Sequence, residues 1–350
     1  MNPKKILLVQ LKQLGDVLMC TPAIQALQDR FPEAEIHFLT QRPSDQLLAH
    51  NPLVRKVHFF PKGKQIRPFL DLKKASQAER FDLVVDFYNK PASAFLSWIT
   101  GAPIRVGYKK GLRQFFYTHP VTPHSASPYS ADERLALLAP LGIPFARYNL
   151  RFLPSDQDRR QAKEILEQLD RAPNRPLITL SPVSRQPYKR WDNGSFGWVA
   201  NKLVEQTQGQ VLFVWGPGEK PYVEEVRAAL AQPDLGDYRD ISLGETVALF
   251  ELADFHLGND NGPMHFAIAA DCPSLAVFGK PLLENWLPPG SPHHQGVEFD
   301  PGCKRNCRYP NCGSECLGAD KEAVLAKALE VIEKAWEGGR RKRPTPPEEN

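Results

Sequence analysis

The stretch Ala253-Asp254-Phe255-His256-Leu257-Gly258-Asn259-Asp260-Asn261-Gly262-Pro263-Met264-His265-Phe266-Ala267-Ile268-Ala269-Ala270 runs from an apolar segment through a polar turn into small apolar residues. Ala253 to Leu257 reads as a short strand and Phe266 to Ala270 as a helix, so the turn joins a strand to a helix. That unit builds α/β folds with parallel sheets. The first N–H groups of such a helix lack intrahelical partners and point at whatever lies beyond it, which favours an anion. Here Gly258 and Gly262 let the backbone approach a ligand, Asp260 accepts from a ribose hydroxyl, and His265 donates to a phosphate oxygen one turn into the helix. Asn261 stands beside Asp260 in the same turn. The alternative is a polar turn with a capped helix and no ligand.

A second segment has the same form. Leu177-Ile178-Thr179-Leu180 reads as a strand that enters Ser181-Pro182-Val183-Ser184-Arg185-Gln186-Pro187-Tyr188-Lys189-Arg190-Trp191, a loop rich in hydroxyls and cations. Ser181, Ser184 and Lys189 offer donors and a point charge to a diphosphate, and Trp191 anchors the loop. A solvated basic loop is the competing reading.

Working outward, Lys5 to Gln10, Glu35 to Thr40, Val54 to Phe60 and Asp82 to Phe87 read as strands. Helical patterns at Ala23 to Phe31 and Gln65 to Arg80 lie between them. After the Pro-punctuated stretch from Leu141 to Pro154 the alternation restarts, with a helix near Asp156 to Leu169. Strands near 177–180, 210–215, 254–258 and 274–278 follow, and then a helix near Lys321 to Trp336. This predicts two doubly wound domains, 1–150 and 151–337, followed by a disordered basic, Pro-rich tail, 338–350. Ligands in such folds lie at the carboxyl ends of the strands, where Ile6-Leu7-Leu8-Val9 leads into Leu14-Gly15-Asp16-Val17-Leu18. A carboxylate there serves either as a general base for a hydroxyl or as the N-cap of the following helix. No Gly-x-Gly-x-x-Gly follows a strand, which counts against a nicotinamide-dependent oxidoreductase.

With 350 residues, 42% hydrophobic and 24% charged, the chain has enough apolar content for two cores and is not of disordered composition. No run approaches the roughly 20 apolar residues of a membrane span, and Ile6 to Val9 is too short for a signal-peptide core. A cytoplasmic location is expected. The net charge of +4 divides unevenly: residues 1–150 carry 20 Lys+Arg against 11 Asp+Glu, and the remainder carries 24 against 29. The basic half suits an anionic acceptor or membrane surface, through cations such as Lys62, Lys64, Arg67, Lys109, Lys110 and Arg113. They are scattered, and no nucleic-acid module surrounds them. Asn193-Gly194-Ser195 matches a glycosylation acceptor by chance.

Taken together, the opening Ile6 to Val9 with Leu14 to Leu18 and Thr21-Pro22-Ala23, the Lys189-Arg190-Trp191 loop, and Gly258 to His265 followed by Val277-Phe278-Gly279 resemble glycosyltransferase family 9. That family contains the ADP-heptose:lipopolysaccharide heptosyltransferases. The resemblance spans nearly the whole chain and implies a GT-B architecture, two Rossmann-like domains facing a cleft, with the acceptor on the N-terminal domain and the nucleotide sugar on the C-terminal one. It implies inverting transfer with no metal or other cofactor at the reacting carbon, from ADP-heptose to a lipopolysaccharide core or lipid A precursor. The enzyme would sit peripherally at the cytoplasmic face of the inner membrane.

Position by position, the resemblance implies Asp16 as catalytic base and Lys189 as the cation that neutralises the departing diphosphate, with Ser184 beside it. Asp260, Asn261, Gly262 and His265 fall in the nucleotide-contacting turn, Glu219 at a ribose-binding carboxylate, and Ile241 where the adenine is enclosed. Two departures stand out. The family often has Ser or Thr in place of Asn261, and the extra glycine in Trp215-Gly216-Pro217-Gly218 blurs the register at Glu219. A protein O-heptosyltransferase of the same family, or a non-catalytic nucleotide-binding or assembly protein, would carry much the same donor turn.

Cys20 and Cys272 read as buried apolar residues. The other four, Cys303, Cys307, Cys312 and Cys316, lie within fourteen residues. A structural Zn²⁺ or iron ion, free thiols and two disulfides are the readings left open, the last disfavoured in a cytoplasmic chain. Iron in the cysteine finger of protein-heptosylating relatives adds weight to a metal.

Overall fold

The computed structural model describes residues 2–61, 78–122, 127–280, 282–303, 306–307 and 310–339. Lys62, Lys64 and Arg67, most of the helix expected over Gln65 to Arg80, and the tail from residue 340 fall outside them. The chain divides into two units, Met1–Leu153 and a second that begins at Pro154, three residues beyond the boundary read from the sequence.

Among the described residues the first unit carries one six-stranded parallel sheet. Its strands are β1 (Lys5–Val9), β2 (Glu35–Thr40), β3 (Lys56–Phe59), β4 (Leu83–Asp86), β5 (Ile104–Tyr108) and β6 (His119–Val121), in the order β3-β2-β1-β4-β5-β6. Strand β1 lies between β2 and β4, with Leu8 beside Phe38 on one side and Val85 on the other. A strand covered on both faces must be apolar throughout, and Ile6, Leu7, Leu8 and Val9 are all fully buried. Helices at Thr21–Arg30, Pro91–Ile99 and Ser130–Ala136 pack around the sheet. In β5, a Cβ on Gly107 would lie 2.3 Å from the Tyr117 ring. The bare glycine admits that ring, and its hydroxyl donates to buried Asp86 at 2.7 Å.

Among its described residues the second unit holds five parallel strands, β7 (Leu177–Ser181), β8 (Gln210–Phe213), β9 (Phe255–Asn259), β10 (Ser274–Phe278) and β11 (His294–Glu298), in the order β11-β10-β9-β7-β8. Leu180, Phe213, Leu257 and Val277 form its core with Trp191 and Phe196. Its helices start where the sequence supplies oxygen caps. Ser155 and Asp158 form a capping box at Asp156–Gln168, Ser242 and Glu245 another at Leu243–Leu252, and Asp192 and Asp320 cap Asn193–Thr207 and Lys321–Glu337.

Candidate functional site

In the second unit, the crossing of chain order at the middle of the sheet sets β7 directly beside β9, so the loops that leave their carboxyl ends are neighbours. Asn259 and Asn261 join the two loops. Asn259 donates to the Pro182 carbonyl at 2.7 Å and accepts from the Trp191 N–H at 3.0 Å. Asn261 donates to the Ser181 hydroxyl oxygen and the Val183 carbonyl, both at 2.8 Å, while its own oxygen caps the Gly262–Ala269 helix through the Met264 N–H. An amide at 261 therefore bonds both loops at once, which a Ser or Thr hydroxyl in that place would do with one oxygen.

Between these anchors the Lys189 ammonium lies 2.6 Å from the Asp260 carboxylate, whose side chain is only 3% exposed. The two residues read separately as a diphosphate cation and a ribose acceptor form one ion pair beside the helix N-terminus. Arg190 holds the loop from the other side, donating to the Ser184 carbonyl at 2.5 Å and stacking 3.9 Å above the Tyr222 ring. Trp191 is buried and donates to the Ala319 carbonyl at 3.1 Å, the anchor expected of it. Gly279, at the end of β10, completes the fit: a Cβ there would lie 2.3 Å from the Tyr188 carbonyl oxygen.

Several expected roles change on this geometry. Gly258 lies inside β9, where a Cβ would meet the His256 ring and the Ser181 backbone, so its bareness serves sheet packing rather than ligand approach. Ser181 is fully buried and its hydroxyl is engaged by Asn261, which makes it part of the wall. Ser184 is also buried, its hydroxyl accepting from the Gln186 N–H. His265 is buried with its ring 5.7 Å from that of Trp286. A Cβ at Gly262 would meet only Phe266, at 3.9 Å, which leaves room outside the helix start. Glu219 precedes the Lys220–Arg227 helix and accepts the Gly216 N–H at 2.8 Å, closing its own turn. Ile241 is half-buried just before the Ser242 cap.

In the first unit, Asp16 lies in the Leu14–Leu18 helix past the carboxyl end of β1. It caps neither neighbouring helix: Gln13 precedes its own, Cys20 the next, and neither start has a side-chain cap. Instead, buried Arg134 donates to its Oδ1 at 3.1 Å and to the Ser130 carbonyl at 2.7 Å. Among the described residues no group bonds Oδ2. Arg134 lies 118 residues away in sequence, and no local signal marks it. Cys20 is buried beneath, and burial pushes its thiol up to about 11, so it stays neutral. Lys109 and Lys110 are exposed, Arg113 donates to the Asn89 side chain, and Arg105 is turned inward onto the Phe116 and Ala102 carbonyls.

None of the six cysteines forms a disulfide. Cys303 and Cys307 are half-buried, Cys312 is exposed and Cys316 buried, with no three of these sulfurs gathered within ligand distance. Four thiols in a short loop suit a tetrahedral ion, but the loop would have to close around it. His37, His58 and Glu79 do converge, unforeseen from the sequence. However, Glu79 is engaged by Lys5 and Lys56 at 2.9 and 2.8 Å, and the rings bond each other at 2.9 Å. Two ammonium groups on the carboxylate argue for a structural cluster.

Two Rossmann-like units built on parallel sheets, with polar loops at the carboxyl ends of the strands, are the GT-B architecture. The profile of glycosyltransferase family 9 (heptosyltransferase) matches residues 69–312, and the chain belongs to that family. It is 26% identical over 315 residues to lipopolysaccharide heptosyltransferase 3 of Escherichia coli K12, covering 84% of this chain and 90% of that one. Its fold resembles the family 9 glycosyltransferase of Veillonella parvula, with a TM-score of 0.82 and 21% identity over 95% of this chain and 98% of the other. It also resembles E. coli ADP-heptose LPS heptosyltransferase II, with a TM-score of 0.75 and 20% identity over 94% and 99%.

Proposed function

We propose that the protein transfers heptose from ADP-heptose to a hydroxyl of an anionic, lipid-borne lipopolysaccharide inner-core acceptor, working peripherally at the cytoplasmic face of the inner membrane. The carrying observation is the Lys189–Asp260 pair at the start of the Gly262–Ala269 helix, held between two loops stitched by Asn259 and Asn261. A diphosphate arriving there meets an ammonium group beside the positive end of a helix in one place. The nearby Asp260 carboxylate is suited to a ribose hydroxyl once Lys189 turns to phosphate. Family membership and the names of the heptosyltransferase relatives support ADP-heptose as donor.

The chemistry asks little more. Asp16 Oδ2 takes the proton of the acceptor hydroxyl as that oxygen attacks the anomeric carbon. The bond to the diphosphate oxygen breaks on the opposite face, and ADP leaves with the bonding pair, which inverts the configuration. Arg134 fixes the orientation of the carboxylate through Oδ1. Lys189 balances the charge that develops on the leaving group. No step in this scheme calls for a metal ion at the reacting carbon. Among the described residues no helix is long and apolar enough to cross a membrane, which accords with surface contact. Mass spectrometry of the product formed by purified protein from a panel of nucleotide sugars and core acceptors tests the reading. Preference for a donor other than ADP-heptose, or no transfer to any core acceptor, would overturn it.

A further inference from the structure

We propose that the aromatic face made by the Pro91–Ile99 helix and the Gly111–Phe116 turn is the surface by which the protein docks onto an anionic lipid bilayer; this rests on the lipid-borne acceptor proposed above. Phe95 and Trp98 stand one turn apart on the helix, and the rings of Phe95, Trp98 and Phe116 lie 5.8 to 6.1 Å from one another. Beside them Leu112 is 83% and Phe115 76% exposed, and Trp98 is half exposed. Isolated exposed apolar residues need no explanation, but four large ones, Phe95, Trp98, Leu112 and Phe115, gathered with half-buried Phe116 on two touching elements form a patch of the kind that marks an interaction site.

Charge identifies the occupant. From Phe87 to Ala131 the sequence contains no Asp or Glu, and five Lys or Arg. Asp86, the nearest carboxylate before that stretch, is buried beneath the Tyr117 hydroxyl and offers nothing to the surface. Lys90, Lys109 and Lys110 are exposed close in sequence to the aromatic residues. Protein interfaces are depleted of lysine, whereas lysine stems lying along an apolar surface with their ammonium groups among phosphates suit a bilayer, as does tryptophan at the headgroup level. A lipid surface with phosphate headgroups matches both halves of the patch, the aromatic rings entering the headgroup boundary and the lysines pairing above it.

The topology gives the face a use. The 111–116 turn leaves the carboxyl end of β5, and the 91–99 helix begins past the carboxyl end of β4. Because β1, β4 and β5 are parallel, these segments and the Asp16 helix leave the same edge of the sheet. A bilayer docked on this face lies at the edge from which Asp16 is presented, where a lipid-borne acceptor has to arrive.

Sedimentation of the full chain with vesicles of phosphatidylcholine, alone or mixed with phosphatidylglycerol, tests this. Wild type should bind the anionic vesicles only, and less so as salt rises. Leu112→Ser with Phe115→Ser, or Lys109→Glu with Lys110→Glu, should each lower partitioning by about tenfold or more, given the usual contribution of buried apolar groups and basic residues. Lys202→Glu, in the other unit, should change nothing. Transfer to an acceptor stripped of its acyl chains should survive Leu112→Ser with Phe115→Ser. Unchanged vesicle binding in that variant would overturn the proposal. Loss of transfer to the stripped acceptor with vesicle binding intact would also overturn it, reassigning the face to the sugar. Wild type that binds vesicles and transfers no heptose would sink the functional reading while leaving the docking face standing.

Discussion

At the scale of single residues, the proposed donor site rests on one ion pair and the proposed acceptor side on one carboxylate. Asp260 is nearly fully buried while Lys189 is partly exposed, so removing the lysine strands a charge away from water. Lys189→Ala and Asp260→Ala should each weaken ADP binding by about tenfold or more, since hydrogen bonds to charged groups contribute about 1.5–3 kcal/mol. Lys189→Ala should also lower Tm the more of the two. Calorimetry and melting curves check both, and Lys189→Met with Asp260→Asn should restore stability without restoring binding. For the acceptor side, Asp16→Asn should cut turnover by about 10²-fold or more while leaving nucleotide affinity intact, as expected for loss of a general base. Turnover above about a tenth of wild type would remove that role. These residue types were legible in the sequence because carboxylate, amide and ammonium groups crowd two short loops. Their partners were not: Arg134 reaches Asp16 across 118 positions, and Asn261 meets Ser181 only once β7 and β9 pair.

At the scale of elements, the Pro187–Lys189 turn is placed by what it packs against. Gly279→Ala would push a methyl group into the Tyr188 carbonyl oxygen and the Leu317 side chain. Backbone does not yield cheaply, and overpacking of this kind costs about 1–3 kcal/mol. We expect a lower Tm together with weaker ADP binding, because the displaced turn carries Lys189; an unaltered binding isotherm would show that the turn adapts. Leu317 belongs to the segment that ends the cysteine-rich loop. We expect that loop to bind one structural zinc or iron ion per chain through Cys303, Cys307, Cys312 and Cys316, detected by elemental analysis after anaerobic purification. Stripping it should lower Tm and leave Asp16 in place. Less than about 0.1 equivalent of metal, with four titratable thiols, would leave the loop as cysteines alone. The strands that sequence reading overlooked have weak apolar patterns. Strand β5 contains Arg105 and Gly107, β6 contains Pro120, and β11 is largely polar. Strands β6 and β11 lie at sheet edges, where one side needs no neighbour and the apolar pattern weakens.

For the whole molecule, central strands such as Ile6 to Val9 and Leu177 to Leu180 were plain in the sequence because burial on both faces leaves no polar alternation to obscure them. The division between units was off by three residues, since the linking stretch from Leu141 to Pro154 has no periodicity to end. Stability should depend on acid through buried histidines. Burial holds His256 at about 3 and His58 at about 4, against about 6.5 in the unfolded chain. Below about pH 6.5 the unfolded state binds protons that the folded state refuses, so these groups stabilise the fold fully above that pH and lose their contribution as it falls toward about 4. Urea midpoints measured from about pH 8 to pH 4.5 should decline on the acid side, and His256→Gln should flatten the decline. The strand order has a consequence for how the chain acquires its shape. Ile6 pairs with Leu83, and Ile178 with Phe255, so the middle of each sheet closes only after a long excursion of chain. Pairing of this kind must pay for loop closure before any contact repays it, which makes each unit a slow folder. As the chain emerges from the ribosome, the apolar Ile6 to Val9 segment waits for β4 to be synthesised with one edge uncovered, the interval in which a chaperone has most to protect.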